Sequence, residues 1–204
     1  MRPMLLAFAV LLSSLATAHA DCTSEVNDAF AKLRKSSAFS METTITNPQG
    51  TLTMSNDYVL PDRMHQTVSM GSGGPEKMEM ILVSGKAWSN QANAGWAEVP
   101  PDFAAKITQQ MKETVAEPPK DTSQFECLGD VAFEGKTYAG YRTKRAPSAQ
   151  DNAAAGPTVQ TVYIDKSLGV PVRNIVTSEA NPDKRLFDGK FSLRDGLKIE
   201  PPKL

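Results

Sequence analysis

The sequence predicts one mainly β domain, a large curved antiparallel sheet accompanied by two helices. Beyond residue 37, most of the chain alternates apolar and polar residues in short runs, which is the period of half-buried strands. Turn signals at 47–50 and 167–169 separate such runs. Two segments, 24–35 and 102–116, instead place apolar residues at helical spacing. The strands therefore form the sheet, and the helices have to cover one of its faces.

The first twenty residues have the pattern of a secretory signal peptide. Arg2 gives a positive start, residues 4–12 are continuously apolar, and Ala-His-Ala forms a small-x-small cleavage motif ending at Ala20. This apolar run is much shorter than the roughly 20 residues that span a bilayer. We expect cleavage after Ala20, which leaves residues 21–204 as a single periplasmic domain that does not span the membrane and is monomeric.

Two cysteines, Cys22 and Cys127, are present in this exported chain. An even cysteine number in an oxidising compartment favours a disulfide, here from the first helix to a strand in the second half. The alternative is two separate thiols. The pair does not form a C-x-x-C motif, so the sequence predicts no redox site.

The composition argues against several functions. The chain has 22 basic and 23 acidic residues, so it lacks the excess positive charge of a nucleic-acid-binding protein. After signal removal His65 is the remaining histidine, and one histidine with two bridged cysteines cannot provide the three or four ligands of a zinc site. No nucleophile elbow, phosphate loop or zinc-protease motif occurs. We therefore predict no catalytic residues, no metal, no cofactor and no enzyme activity.

Methionine is the unusual residue of this composition. Six of the nine methionines lie between residues 41 and 80, most at apolar positions of successive predicted strands. Adjacent strands would bring these flexible side chains together on one face of the sheet, where they can adapt to varied apolar ligands. The alternative is ordinary core packing beneath the helices.

The segment 102–116 is predicted to be an amphipathic helix lying against the sheet. Phe103, Ile107, Met111 and Val115 are spaced four apart and form its apolar stripe. Such a helix could be a fixed cap or a movable lid. With the strand positions, the predicted apolar cavity consists of Met41, Leu52, Met54, Met64, Val68, Met78, Met80, Leu82, Phe103, Ile107 and Met111.

A series of short motifs resembles the periplasmic lipoprotein-carrier superfamily, which comprises LolA/LolB-like proteins and mycobacterial lipid-binding lipoproteins. The likeness extends from about residue 24 to the end of the chain. In order, the motifs are Tyr58-x-x-Pro61-Asp62-Arg63, residues 85–88 (Gly-Lys-Ala-Trp), Gly95-Trp96, Tyr163-Ile164-Asp165, Gly169-Val170-Pro171-Val172-Arg173 and Leu197-Lys198-Ile199-Glu200-Pro201-Pro202.

The resemblance implies an unclosed antiparallel β-barrel of about eleven strands, with helices covering an apolar concave face. It also implies that the protein binds or carries a lipid or an acylated protein through its acyl chain. The alternative is a non-transporting protein of the cell envelope that senses stress or contacts an envelope protein through a sheet edge or the loop 146–157.

The proposed cleavage site gives the first prediction. Protein purified from the envelope should begin at Asp21, because the small-x-small motif directs the signal peptidase to the bond after Ala20. Intact-mass measurement reports this directly. A mass that includes the first twenty residues would show that the segment is retained.

Overall fold

The computed structural model describes residues 17–71, 77–118, 123–145 and 156–204, and only the backbone of residues 17–21. Most of the predicted signal peptide and most of the predicted loop 146–157 lie outside these ranges.

Eleven strands form one antiparallel sheet, which confirms the predicted fold class. In chain order they are β1 (Ala38–Asn47), β2 (Gly50–Val59), β3 (Arg63–Gly71), β4 (Lys77–Val83), β5 (Lys86–Gln91), β6 (Ala97–Glu98), β7 (Glu126–Phe133), β8 (Lys136–Arg145), β9 (Thr158–Asp165), β10 (Val170–Ser178) and β11 (Arg185–Leu193).

The sheet consists of two meanders joined through their first and last strands. Its order is β6-β5-β4-β3-β2-β1-β11-β10-β9-β8-β7, so β1 pairs with the last strand of the chain. The β1–β11 register runs from Phe39 opposite Leu193 to Ile45 opposite Phe187. Strands β6 and β7 stand at the two ends of this order, and the sheet curves without closing into a barrel.

Two helices cover the same face of the sheet, which we call the concave face. Helix α1 (Thr17–Lys35) packs against β7, β9 and β10. Helix α2 (Pro101–Met111) packs against β4 and β5, and its last turn widens over Lys112–Ala116. Proline suits the first turn of α2 because the backbone N–H that it lacks has no partner within the helix there. Helix α1 begins earlier than the predicted residue 24.

The helices close one end of the concave face. Leu33 of α1, together with Ala104, Met111 and Val115 of α2, is buried against the sheet. Phe30 joins this cluster to a second one beneath α1, and its ring meets Phe191 edge-on with centroids 5.8 Å apart.

The predicted apolar stripe of α2 is wrong at Phe103. This side chain is 59% exposed, and the Lys106 amino group lies 5.3 Å from its ring centroid. A spacing of four residues drifts around a helix that has 3.6 residues per turn. Ala104 precedes Met111 by seven residues, which is close to two full turns, so the two residues lie on the same side of the helix. Ala104 is therefore buried where Phe103 was expected.

The predicted disulfide is present and holds the first helix to the edge strand β7. Cys22 and Cys127 are bonded, with their Cα atoms 5.4 Å apart. Two further contacts fix the same turn of α1. The backbone N–H of Phe125 donates to the Thr23 hydroxyl at 2.9 Å, and the Tyr141 hydroxyl donates to the Glu25 carboxylate. Burial and this carboxylate raise the pKa of Tyr141.

The opposite, convex face carries a small apolar cluster of its own. Trp88 packs there with Ile81 and Val83 against Ile199 of the C-terminal segment, and the Arg63 guanidinium donates to the Ile199 carbonyl at 2.7 Å. The register places Trp88 opposite Glu98, so Trp96 is not its direct cross-strand partner, although Trp96 packs against the same cluster.

Removal of the disulfide should weaken the fold. Replacing Cys22 and Cys127 together with Ser should lower the free energy of unfolding by about 2 to 5 kcal/mol, because the unfolded chain loses the constraint on a long loop. Urea unfolding measures this loss. Reductant should reproduce it in the wild-type protein and have no effect on the double variant, whereas equal stability of the two proteins would contradict the prediction.

Candidate apolar binding site

The strand register arranges the concave face in rows of directly opposite residues. The core row contains Phe39, Tyr58, Met64, Leu82 and Ala87. The amide row contains Phe191, Met41, Asn56, Gln66, Met80 and Ser89. The methionine row contains Asn174, Gly189, Thr43, Met54, Val68, Met78 and Gln91. The rim row contains Val176, Phe187, Ile45, Leu52 and Met70.

All eight strand residues of the predicted cavity therefore share the concave face. Their burial divides them into two groups. Met64 and Leu82 are buried in the core with Met111 of α2, while Met41, Met80 and Ile107 are partly buried against it. For this first group, the structure shows ordinary core packing under the helices.

The second group lies farther along the strands, beyond the core. Leu52, Met54, Val68 and Met78 are only partly buried, and Met70 beside Leu52, which is not in the predicted cavity, is 70% exposed. Their strands β1 to β4 continue past the end that the helices close. The methionine and rim rows therefore present an accessible apolar surface on the same face as the core.

Besides Met70, three residues that extend this surface are absent from the predicted set. Ile45 lies directly between Leu52 and Phe187, and Phe187 pairs with Val176 of β10. The alternation of apolar and polar residues within 185–193 could have indicated which face of the sheet the Phe187 side chain occupies. Its position beside the methionine-rich strands depends on the β1–β11 pairing, which no local pattern shows.

Phe187 occupies its place because residue 189 is a glycine. A Cβ atom at Gly189 would lie 2.9 Å and 3.0 Å from two ring carbons of Phe187, so the ring lies along the strand over this glycine. Gly189 is directly opposite Thr43. The ring is thereby brought beside the methionine row.

The polar groups of the concave rows are all neutral. The Gln66 amide donates to Asn56 Oδ1 at 2.7 Å. Next to the rim row, Gln160 of β9 lies opposite Val176, and its amide donates to Asn174 Oδ1 at 3.0 Å. Asn56 is 2% exposed. None of the four rows contains a charged residue, so a charged ligand group placed there would not be compensated.

A separate cleft of about 320 Å³ lies on the convex face. It is lined by Glu42, Thr43, Thr44, Thr53, Met54, Ser55, Thr67, Ser69, Arg173, Asp188 and Lys190. Because side chains alternate along a strand, Thr43 and Met54 border this cleft with their backbone. The Arg173 guanidinium donates to both Asp188 oxygens, at 2.5 and 2.9 Å, and this carboxylate raises the pKa of Arg173. Lys190 lies 3.6 Å from Glu42.

The arrangement around His65 does not form a nucleophile and base pair. His65 lies on the convex face directly opposite Asp57, whose carboxylate accepts from the Ser40 hydroxyl. Ser40 is two strands away from His65, which corresponds to about 10 Å. Since the carboxylate stands between them, the imidazole cannot take the serine proton.

The described ranges contain no group of three or more His, Cys, Asp or Glu side chains that could hold a metal ion. Nor do they contain a helix with the length and apolarity that crossing a membrane requires.

Two solved structures share this fold across nearly their whole length. Lipoprotein LppX of Mycobacterium tuberculosis is 10% identical with a TM-score of 0.58, and the match covers 89% of this chain and 99% of LppX. LprF from Mycobacterium bovis is 11% identical with a TM-score of 0.59, and the match covers 90% and 97%. These matches confirm the predicted resemblance at the level of the fold. No family model and no curated protein sequence matches the chain.

Tyr58, in the core row, gives a prediction for alkaline pH. Burial raises its pKa to about 12, whereas an unfolded tyrosine has a pKa of about 10. Between these values the unfolded chain releases the phenol proton and the folded chain keeps it, so stability falls as pH rises through about 10. Between roughly pH 9 and 11, the free energy of unfolding of Tyr58→Phe should therefore fall by about 1 kcal/mol less than that of the wild-type protein. Urea unfolding across this range tests it, and parallel pH profiles would contradict it.

Proposed function

We propose that the protein is a periplasmic binding or carrier protein for a lipid or acylated protein, whose acyl chain lies on the concave face. The partly exposed apolar surface of the methionine and rim rows supports this proposal. Unlike the buried residues beneath the helices, Leu52, Met54, Val68 and Met78 already reach solvent and need no opening of the core. Apolar side chains that remain grouped and accessible on one face are typical of a ligand surface.

The dimensions of this surface suit an extended hydrocarbon chain. From β11 to β4 the rows cross four strand spacings, which amount to roughly 19 Å along the sheet. Burial of ten methylene groups at about 0.8 kcal/mol each would contribute about 8 kcal/mol. Such a gain corresponds to micromolar affinity before the entropic cost of binding is subtracted, so an acyl chain of common length suffices.

The residues of the predicted cavity would act at two depths. Leu52, Met54, Val68 and Met78 would contact the chain in the structure as it stands. Met64, Leu82 and Met111 are buried against one another and would reach a ligand only if α2 moved away. In this proposal α2 is a lid over the deep end, with Ile107 at its margin.

An envelope location agrees with the other features of the chain. The signal-peptide pattern directs export, and the Cys22–Cys127 bond requires an oxidising compartment such as the periplasm. The fold is shared with LppX, which is a lipoprotein.

A charge placed on the methionine row should abolish lipid retention. Met54→Asp would bury a carboxylate against hydrocarbon, which costs several kcal/mol and offsets most of the binding energy. Ser55→Asp is the matched control, because it adds the same charge one residue away on the convex face. Native mass spectrometry with organic extraction, on protein purified from its own periplasm, compares the lipid content of the three proteins.

The expected result is a lipid-sized adduct in wild type and Ser55→Asp, and its loss in a folded Met54→Asp protein. Equal adducts in all three would show that the ligand does not contact the methionine row. Wild-type protein that carries no adduct and takes up none from mixed lipid vesicles would overturn the proposed function.

A further inference from the structure

Thr43 is a buried polar residue at the centre of the methionine row. The residue is 2% exposed, and its hydroxyl has no hydrogen-bond partner within the part of the chain that the structure describes. Its direct neighbours across the sheet are Met54 on β2 and Gly189 on β11. The hydroxyl is therefore surrounded on its own row by a thioether side chain and by the Phe187 ring that lies over Gly189.

This position is one where a polar atom lowers stability. A buried hydroxyl without a partner loses its hydrogen bonds to water and gains none in return. Valine has the same shape, suits a strand at least as well as threonine, and would avoid this loss. The described residues offer this oxygen atom no partner, so the hydroxyl is available for a hydrogen bond to a ligand.

The surroundings of Thr43 determine which ligand group could be that partner. The amides on this face are neutral. Asn56 lies diagonally across from Thr43 and accepts from Gln66, while Asn174 lies two strands away, beyond Gly189, and accepts from Gln160. In the amide pair nearest to it, Gln66 uses only its amide nitrogen among the residues that the structure describes, so its carbonyl oxygen can accept a further bond. The four rows carry no cation that could compensate a carboxylate or phosphate.

We propose that Thr43 binds a neutral hydrogen-bonding group of the ligand, an ester or amide adjoining the acyl chain, and that the site discriminates against ionised lipids. The inference rests on the proposed function, because it places this group on the same concave face. The Thr43 hydroxyl donates to the ligand carbonyl, while the acyl chain lies across Met54, Val68 and Met78. The flexible Met54 side chain and the Phe187 ring move aside to admit the carbonyl.

Competition with a fluorescent apolar probe tests this proposal. Delipidated wild-type protein is loaded with N-phenyl-1-naphthylamine, and displacement is measured with methyl laurate, an alkane of matched length, and laurate at a pH where it is ionised. Wild type should bind methyl laurate about threefold to tenfold more tightly than the alkane, the gain expected from one net hydrogen bond. Laurate should be the weakest of the three.

Thr43→Val removes the hydroxyl and keeps the shape. It should eliminate the preference for the ester over the alkane and raise the Tm of the ligand-free protein. Thr53→Val is the matched control, because Thr53 faces the convex cleft, and it should keep the wild-type preference.

An unchanged ester preference in Thr43→Val, or laurate binding as tight as that of methyl laurate, would overturn the inference while leaving acyl-chain binding intact. A wild-type protein from which neither the ester nor the alkane displaces the probe would instead overturn the proposed function, and this inference with it.

Discussion

The pairing of β1 with β11 is the constraint on which the rest of the structure depends. It joins the first and last strands of the sheet, so two meanders that are separate in sequence become one curved surface. It places Phe187 and Phe191 beside the methionine-rich strands, and it brings Gly189 opposite Thr43. Without this ladder the methionine row would end at Thr43 and the rim row at Ile45. The concave face would then be a narrow strip, and α1 and α2 would cover two unconnected sheets.

Much of the fold could be predicted from local patterns. The apolar and polar alternation in residues 38–83 predicts the strands and also which side chains share a face, because a strand has a period of two. The methionines on the concave rows follow from that alternation alone. The predicted helix 102–116 starts within one residue of the observed helix. Its buried stripe differs from the predicted one because a spacing of four residues drifts around a helix with 3.6 residues per turn.

The residues that the second half of the chain contributes to the concave face could not be predicted from local patterns. Which strand pairs with β1 is decided by contacts between residues about 150 apart, and no short pattern records them. The sequence therefore indicated Met54 and Met78 but missed Phe187 and Val176. It also gave no sign that Thr43 would be buried without a partner, since a threonine in a strand ordinarily finds a hydrogen bond or faces water.

The two faces of the sheet differ in the chemistry that they offer, and we propose that the acyl ligand uses the concave one. Photolabelling with an acyl ester that carries a diazirine in its chain tests this claim most directly, because mass spectrometry identifies the labelled residues. We expect label on the concave residues Leu52, Met54, Val68 and Met78. Label on their convex neighbours Thr53, Ser55, Thr67 and Ser69 would contradict it and place the ligand in the polar cleft.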